Sequence, residues 1–216
     1  MSDQDNGQVS TLQRPTTNDP DAWKAYWKAQ GWSWRTEPEI DAERQKYLAE
    51  RRAIVPNIEQ GIYPFKDIKL TRADVEWLLV THENGRGPVD WSNEKELYER
   101  TGLDLRGADL RCLNLDGLPL THLYGGLAQD ERNLATVEQG EMAALHLEGA
   151  SLKRTRLEKA SLSWVHLEHA NLARVHMERA NLYGAHLENT DLRQAHLEGI
   201  FLLQCTLVMK MVSALG

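Results

Sequence analysis

Residues 145–207 read LHLEGASLKRTRLEKASLSWVHLEHANLARVHMERANLYGAHLENTDLRQAHLEGIFLLQCTL, with a leucine or methionine at every fifth position from Leu147 to Leu207. In most units a small or compact apolar residue stands two positions earlier, as Ala150 precedes Leu152. A short period kept over thirteen consecutive units is typical of a solenoid, in which each unit contacts only its neighbours. The sequence therefore predicts a stacked repeat architecture.

The length of the unit limits what each repeat can be. Five residues are too few for a helical hairpin or for a strand followed by a helix, so each unit is predicted to form one side of a coil. The central leucine and the small residue two positions before it are expected to point inward, and the other three positions outward. Successive coils are expected to pair through backbone hydrogen bonds about 4.8 Å apart.

The residues of individual units resemble a known family. Units such as ADLRC at 108–112, ASLKR at 150–154 and ANLAR at 170–174 resemble the pentapeptide-repeat signature A-[D/N]-L-x-x. The resemblance covers about residues 103–209. It implies a mainly β fold, a right-handed, four-sided parallel β-helix with about twenty residues per coil. The first hundred residues resemble no family whose function we can assign.

The period also predicts the domain organisation. Residues 1–18 are polar and lack a period, so we expect a disordered arm. Residues 19–102 hold six of the seven tryptophans and several helix-start signals, among them Asp19-Pro20 and the capping-box pattern Thr71-Arg72-Ala73-Asp74, which indicates an α-helical N-terminal domain that also caps the solenoid. The repeats begin at 103 and are predicted to extend to 212. A helix-prone insertion at about 126–143 interrupts them, and the count resumes two residues out of phase.

A second period of ten places histidine and glutamate on alternate sides. If residues twenty apart stack, as the resemblance implies, one side carries His146, His166 and His186, and the opposite side carries Arg156, His176 and His196. The first three are the candidate metal ligands. A flat ladder that faces water supplies imidazole nitrogens without the enclosed tetrahedral set that zinc prefers. We therefore expect no metal site and no other cofactor.

Apolar residues mark two candidate interaction surfaces. Outward positions of one side carry an apolar stripe composed of Trp164, Tyr183, Phe201 and Leu203. Such a stripe either binds a protein partner or is covered by the N-terminal helices or the insertion. At the C-terminal end the repeat pattern gives way to the apolar residues Val208, Met209, Met211 and Val212. These residues predict a cap or a homodimer seam, and we favour the seam.

Composition restricts the cellular location. The N-terminal residues are polar and acidic, unlike a secretory signal, and no apolar run approaches eighteen residues. The two cysteines, Cys112 and Cys205, lie far apart and outside any CxxC motif, which indicates free thiols in a reducing compartment. We expect a cytoplasmic protein that has no membrane segment.

The chain carries none of the common catalytic motifs: it has no nucleophile elbow, no glycine-rich phosphate loop and no HExxH. We therefore predict a non-catalytic module for protein–protein interaction or scaffolding. The family resemblance implies one alternative, since some members imitate DNA and protect type II topoisomerases such as gyrase. That imitation depends on an acidic rod, whereas residues 145–209 hold seven basic and seven acidic residues. No direct binding of nucleic acid is expected.

Overall fold

A computed structural model describes residues 13–206 of the chain. Helices lie in the N-terminal half and in the insertion, and the repeats occupy the rest. The helices are α1 (Pro20–Ala29), α2 (Ala42–Arg52), α3 (Arg72–Val80), α4 (His82–Gly85), α5 (Glu94–Glu99), α6 (Gln129–Arg132) and α7 (Val137–Ala143). Most of the predicted arm at 1–18 and the end of the predicted repeats at 207–212 lie outside the described residues.

Contacts divide the chain into two units, residues 1–38 and residues 39–216. In the first unit Asp19 caps α1, and Trp23 and Trp27 are buried side by side with ring centroids 5.5 Å apart. The guanidinium of Arg35 lies 3.6 Å from the centre of the Trp27 ring. These contacts are all local in sequence. The N-terminal region predicted as one domain over 19–102 is therefore divided near residue 38, and residues 39–102 belong to the unit that contains the repeats.

Residues 39–102 are held by hydrogen bonds between helices and by backbone pairing with the first coil. Thr71 and Asp74 form the capping box that the sequence predicts at the start of α3. Asp74 also accepts a hydrogen bond of 2.9 Å from Nε of Arg44 in α2. The stretch 67–70 pairs with the first coil, where the Asp109 amide donates to the Ile68 carbonyl at 3.0 Å. This pairing covers one side of the N-terminal edge of the solenoid.

The repeats form a β-solenoid with twenty residues per coil. Parallel bridges join residues twenty positions apart and fall into four series, which define four sides: His146–His166–His186, Ser151–Asn171–Asp191, Arg156–His176–His196 and Ser161–Asn181–Phe201. One residue of each unit makes the bridge and a turn follows, so the described repeats contain isolated bridges and no extended strand. The central leucines and the small residues before them fill the interior, and nearly all are fully buried as far as Leu187.

The insertion enlarges one coil and leaves the stacking intact. Asp109 bridges His146, and Asn114 bridges Ser151, so the offset between paired residues here is 37 instead of twenty. Seventeen extra residues fit within one coil, which accounts for the two-residue change of phase seen in the sequence. The insertion contains two short helices, α6 and α7, separated at residues 133–136.

Each turn places one residue in left-handed backbone conformation. The second residue after the central position has φ between 55° and 71° throughout the described repeats, and most of these residues are not glycine. A side chain at such a position costs about 1–2 kcal/mol relative to the right-handed conformation. Hydrogen bonds between stacked turns offset this cost. For example, the His169 amide donates to the Glu188 carbonyl at 2.9 Å.

We predict that His169→Gly increases the free energy of unfolding by about 0.5–1 kcal/mol, because glycine removes the strain of a left-handed residue whose side chain is exposed. Urea unfolding of the purified chain measures the change. His169→Ala is the matched control: it removes the imidazole but keeps the Cβ atom, so no gain is expected. A glycine variant less stable than the alanine variant would contradict the prediction.

Candidate functional site

Stacked histidines cover two opposite sides of the solenoid. The rings of His146 and His166 are parallel with centroids 4.8 Å apart, and His166 and His186 continue the stack at 4.6 Å. On the opposite side His176 and His196 stack at 4.4 Å. The twenty-residue stacking implied by the resemblance therefore brings together the three histidines of the candidate metal set.

Neighbouring glutamates orient several of these rings. Nδ1 of His166 lies 3.0 Å from a carboxylate oxygen of Glu168, and Nδ1 of His146 lies 3.1 Å from Glu148. Because an ionised carboxylate only accepts hydrogen bonds, Nδ1 is the nitrogen that carries the proton in a neutral ring. Nε2 is then an acceptor with a free lone pair. Glu188 is held differently: a hydrogen bond from Thr206 keeps the pKa of this carboxyl below its usual range.

The insertion covers the side of the solenoid that carries Trp164. The indole is buried in a cluster with Tyr63, Leu127, Ala143 and Ala144, which joins the segment after α2, the insertion and the repeats. Gly140 of α7 lies so close to the indole that a Cβ atom there would approach the ring within 2.5 Å. Only glycine permits this contact, and it lets the backbone of α7 lie against the ring.

Ion pairs and a cation–π contact hold α6 against the repeats beside this cluster. Arg106 of the first coil contacts Glu131 at 2.9 Å and Asp104 at 2.7 Å. Burial acts to lower the pKa of Arg106, but the hydrogen bonds with these carboxylates outweigh it and the pKa is raised. Arg132 lies over the ring of Tyr183, with its guanidinium carbon 4.3 Å from the ring centre. The insertion is thus held by apolar, ionic and cation–π contacts.

The structure divides the apolar stripe into two parts that differ in exposure. Trp164 is only 6% exposed and Tyr183 is partly buried, because the insertion packs against both. Phe201 and Leu203 are 38% and 54% exposed. The stripe therefore separates into a covered half and an exposed half. Of the two alternatives, covering by the insertion describes Trp164 and Tyr183, and partner binding stays a prediction for Phe201 and Leu203.

The inner leucines become exposed at the C-terminal end of the described solenoid. Leu182 and Leu187 are fully enclosed, whereas Leu192 and Leu197 are partly exposed and Leu202 is 40% exposed. With Phe201 and Leu203 they form an apolar end surface, which we call the end face. The predicted seam residues Val208, Met209, Met211 and Val212 follow in sequence but lie outside the described residues.

Sequence reasoning missed one residue beside the histidine ladder. Glu141 of α7 has one carboxylate oxygen 3.6 Å from Nε2 of His166 and the other 3.8 Å from Nε2 of His186. Its position depends on how the insertion folds back, which a repeat period cannot specify. The sequence offered only a weak signal, an acidic residue in a helix-prone insertion next to a histidine-bearing side.

Among the described residues, no helix has both the length and the apolar character needed to cross a lipid bilayer.

We predict that Trp164→Ala lowers the free energy of unfolding by about 3–5 kcal/mol, because it leaves a cavity where the insertion meets the repeats. Phe201→Ala is the matched control on the exposed half of the stripe and is expected to cost less than about 1 kcal/mol. Chemical denaturation monitored by circular dichroism compares the two variants. Equal losses for both would mean that Trp164 is not covered.

The family model for pentapeptide repeats matches residues 160–199 in eight copies. A similar solved structure is a pentapeptide repeat protein from the cyanobacterium Cyanothece 51142, with 20% sequence identity and a TM-score of 0.25; the match covers 45% of this chain and 63% of that one. No curated protein matches the chain, and no family is recognised for the N-terminal region. Residues 160–199 of this chain are therefore pentapeptide repeats, which confirms the predicted resemblance.

Proposed function

We propose that this chain is a non-catalytic protein–protein interaction module and that its end face binds a second copy of the chain. The observation that carries the proposal is the exposure of Leu202 and Leu203, at 40% and 54%, beside the partly exposed Leu192 and Leu197. Earlier coils bury the equivalent central leucines completely. A solenoid coil whose interior side chains are exposed to solvent is stabilised when that apolar surface is buried. Stacking against another chain would bury it.

Charge supports a second copy as the occupant. Residues 145–209 carry seven basic and seven acidic side chains, so two such rods approach without net repulsion. Near the end face Asp191 and Arg193 form an ion pair at 2.7 Å. An apolar, electrically balanced surface is suited to a two-fold interface, in which the same patch contacts itself.

The sequence that follows the end face supports the same occupant. Beyond Thr206 the chain continues as LVMKMVSALG, which contains the predicted seam residues Val208, Met209, Met211 and Val212. In sequence, this apolar stretch is continuous with the exposed coil. The interface we propose therefore includes the end face and these seam residues.

The alternative implied by the resemblance is DNA mimicry that modulates a type II topoisomerase. The electrical balance of residues 145–209 argues against it, because a DNA mimic needs a surplus of acidic groups along its length. Stacked histidines on two sides also differ from the phosphate-like rows that such a mimic needs. A gyrase supercoiling assay with added chain separates the two functions, and we expect an unchanged rate.

We predict that the full-length chain, 24.6 kDa as a monomer, approaches the mass of a dimer with rising concentration in multi-angle light scattering. Leu202→Glu is expected to shift the chain to the monomer, because it places a charge on the apolar end face. The matched control is Leu134→Glu on the insertion, where the leucine is 91% exposed, and it should leave the mass unchanged.

Two outcomes would contradict this assignment. A wild-type chain that stays monomeric at every concentration would mean that its own residues cover the end face or that the surface is unoccupied. If the measured mass of the Leu134→Glu variant falls toward the monomer as far as that of Leu202→Glu, the interface lies on the insertion.

A further inference from the structure

Glu141 distinguishes one histidine ladder from the other. This residue lies on α7 of the insertion, so it reaches the ladder from a separate segment of the chain. Its two carboxylate oxygens lie 3.6 Å from Nε2 of His166 and 3.8 Å from Nε2 of His186. On the opposite side, the ligand cluster found among the described residues consists of His176, His196 and Glu178, all from the repeats themselves.

The hydrogen bonds around His166 make this arrangement chemically specific. Glu168 accepts a hydrogen bond from Nδ1 of His166 at 3.0 Å, which leaves Nε2 as the nitrogen with a lone pair available to a ligand. A carboxylate that holds the far nitrogen of a histidine is the arrangement that orients and strengthens imidazole ligands in metal sites. Nδ1 of His186 lies 3.4 Å from the Thr206 hydroxyl, which can donate or accept. Nε2 of His166 and Nε2 of His186 both lie near the Glu141 carboxylate, whose negative charge would stabilise a cation bound between them.

We propose that Glu141, His166 and His186 form a binding site for Zn²⁺ or a similar divalent transition metal. Two imidazole nitrogens and one carboxylate oxygen are a donor set that zinc accepts, with water in the fourth position. The three ligand atoms lie within 4.8 Å of one another. Zinc bonds of about 2.0–2.1 Å place tetrahedral ligands roughly 3.4 Å apart. The distance of 3.6 Å between one Glu141 oxygen and Nε2 of His166 is already close to that value, and the distance of 3.8 Å to Nε2 of His186 is measured from the other oxygen.

Metal binding would require a small rearrangement of the rings. His166 and His186 are stacked in parallel with centroids 4.6 Å apart, so their lone pairs do not converge on one point. Each ring must turn toward the other and toward Glu141. Both side chains are partly exposed to solvent. The site is therefore expected to bind metal in an exchangeable manner, with solvent access to the open position.

The site has a consequence for the insertion. A metal held by Glu141 and by two successive coils would link α7 to the repeats. The link would add to the packing of Gly140 against Trp164 on the neighbouring side. This role is separate from the proposed interface, because the end face is formed by the last described coil and includes none of the three ligands.

Titration of the metal-free, full-length chain with Zn²⁺ by isothermal calorimetry tests the site, with Co²⁺ as a spectroscopic probe of tetrahedral geometry. We expect one Zn²⁺ per chain for the wild type. Glu141→Gln and His186→Gln should each weaken the affinity by at least about tenfold and remove the tetrahedral Co²⁺ absorption. His196→Gln, which alters the ladder without an insertion carboxylate, should bind as the wild type does.

Circular dichroism of the metal-free variants shows whether each is folded. The proposal is overturned if the folded wild type binds no Zn²⁺. It is equally overturned if His196→Gln loses as much affinity as His186→Gln, or if Glu141→Gln binds as tightly as the wild type. The last result would place the metal on the imidazoles of the ladder alone.

Discussion

Backbone pairing between successive coils is the constraint on which the rest of this structure depends. A residue in one coil bridges the residue twenty positions later, and this register holds on all four sides. Each unit contributes one bridge and one turn, so residues twenty positions apart occupy equivalent places on successive coils. The insertion obeys the same rule. It adds seventeen residues, and the chain then re-enters the stack with Asp109 paired to His146.

Fixed register determines what the surface presents. Chemically similar residues recur every twenty positions, so they become continuous ladders, and parallel imidazole rings follow directly. The turns cost energy, because they hold non-glycine residues in left-handed conformation, and hydrogen bonds between coils offset that cost. Repeated coils therefore present regular ladders of side chains. Contacts that do not repeat come from the segments outside the repeats. The insertion is the clearest case, because it buries Trp164 and brings a carboxylate to the histidine ladder.

The sequence predicts the parts of this fold that depend on period and fails where contacts are set by folding over long distances. The count of five predicted the solenoid, and the spacing of twenty implied by the resemblance predicted which histidines stack. Local helix signals located Asp19 and the capping box at Thr71 correctly. The burial of Trp164 depends on Gly140, which lies twenty-four residues earlier in a segment without a period. Pairing of 67–70 with the first coil and the approach of Glu141 to His166 and His186 likewise depend on where nonrepetitive segments fold back.

Amide hydrogen exchange tests most directly the claim that a single solenoid runs through the insertion. The amides of Leu110, Leu115 and Leu120 donate to carbonyls beyond the insertion, at His146, Ser151 and Arg156. The amides of Leu152, Leu157 and Leu162 donate to the next coil in the uninterrupted part of the repeats. If the stack is continuous, both sets of amides exchange through the same cooperative unfolding event. Their protection factors are then within about tenfold of one another. Rapid exchange at Leu110, Leu115 and Leu120, with protection retained at Leu152, Leu157 and Leu162, would contradict the account.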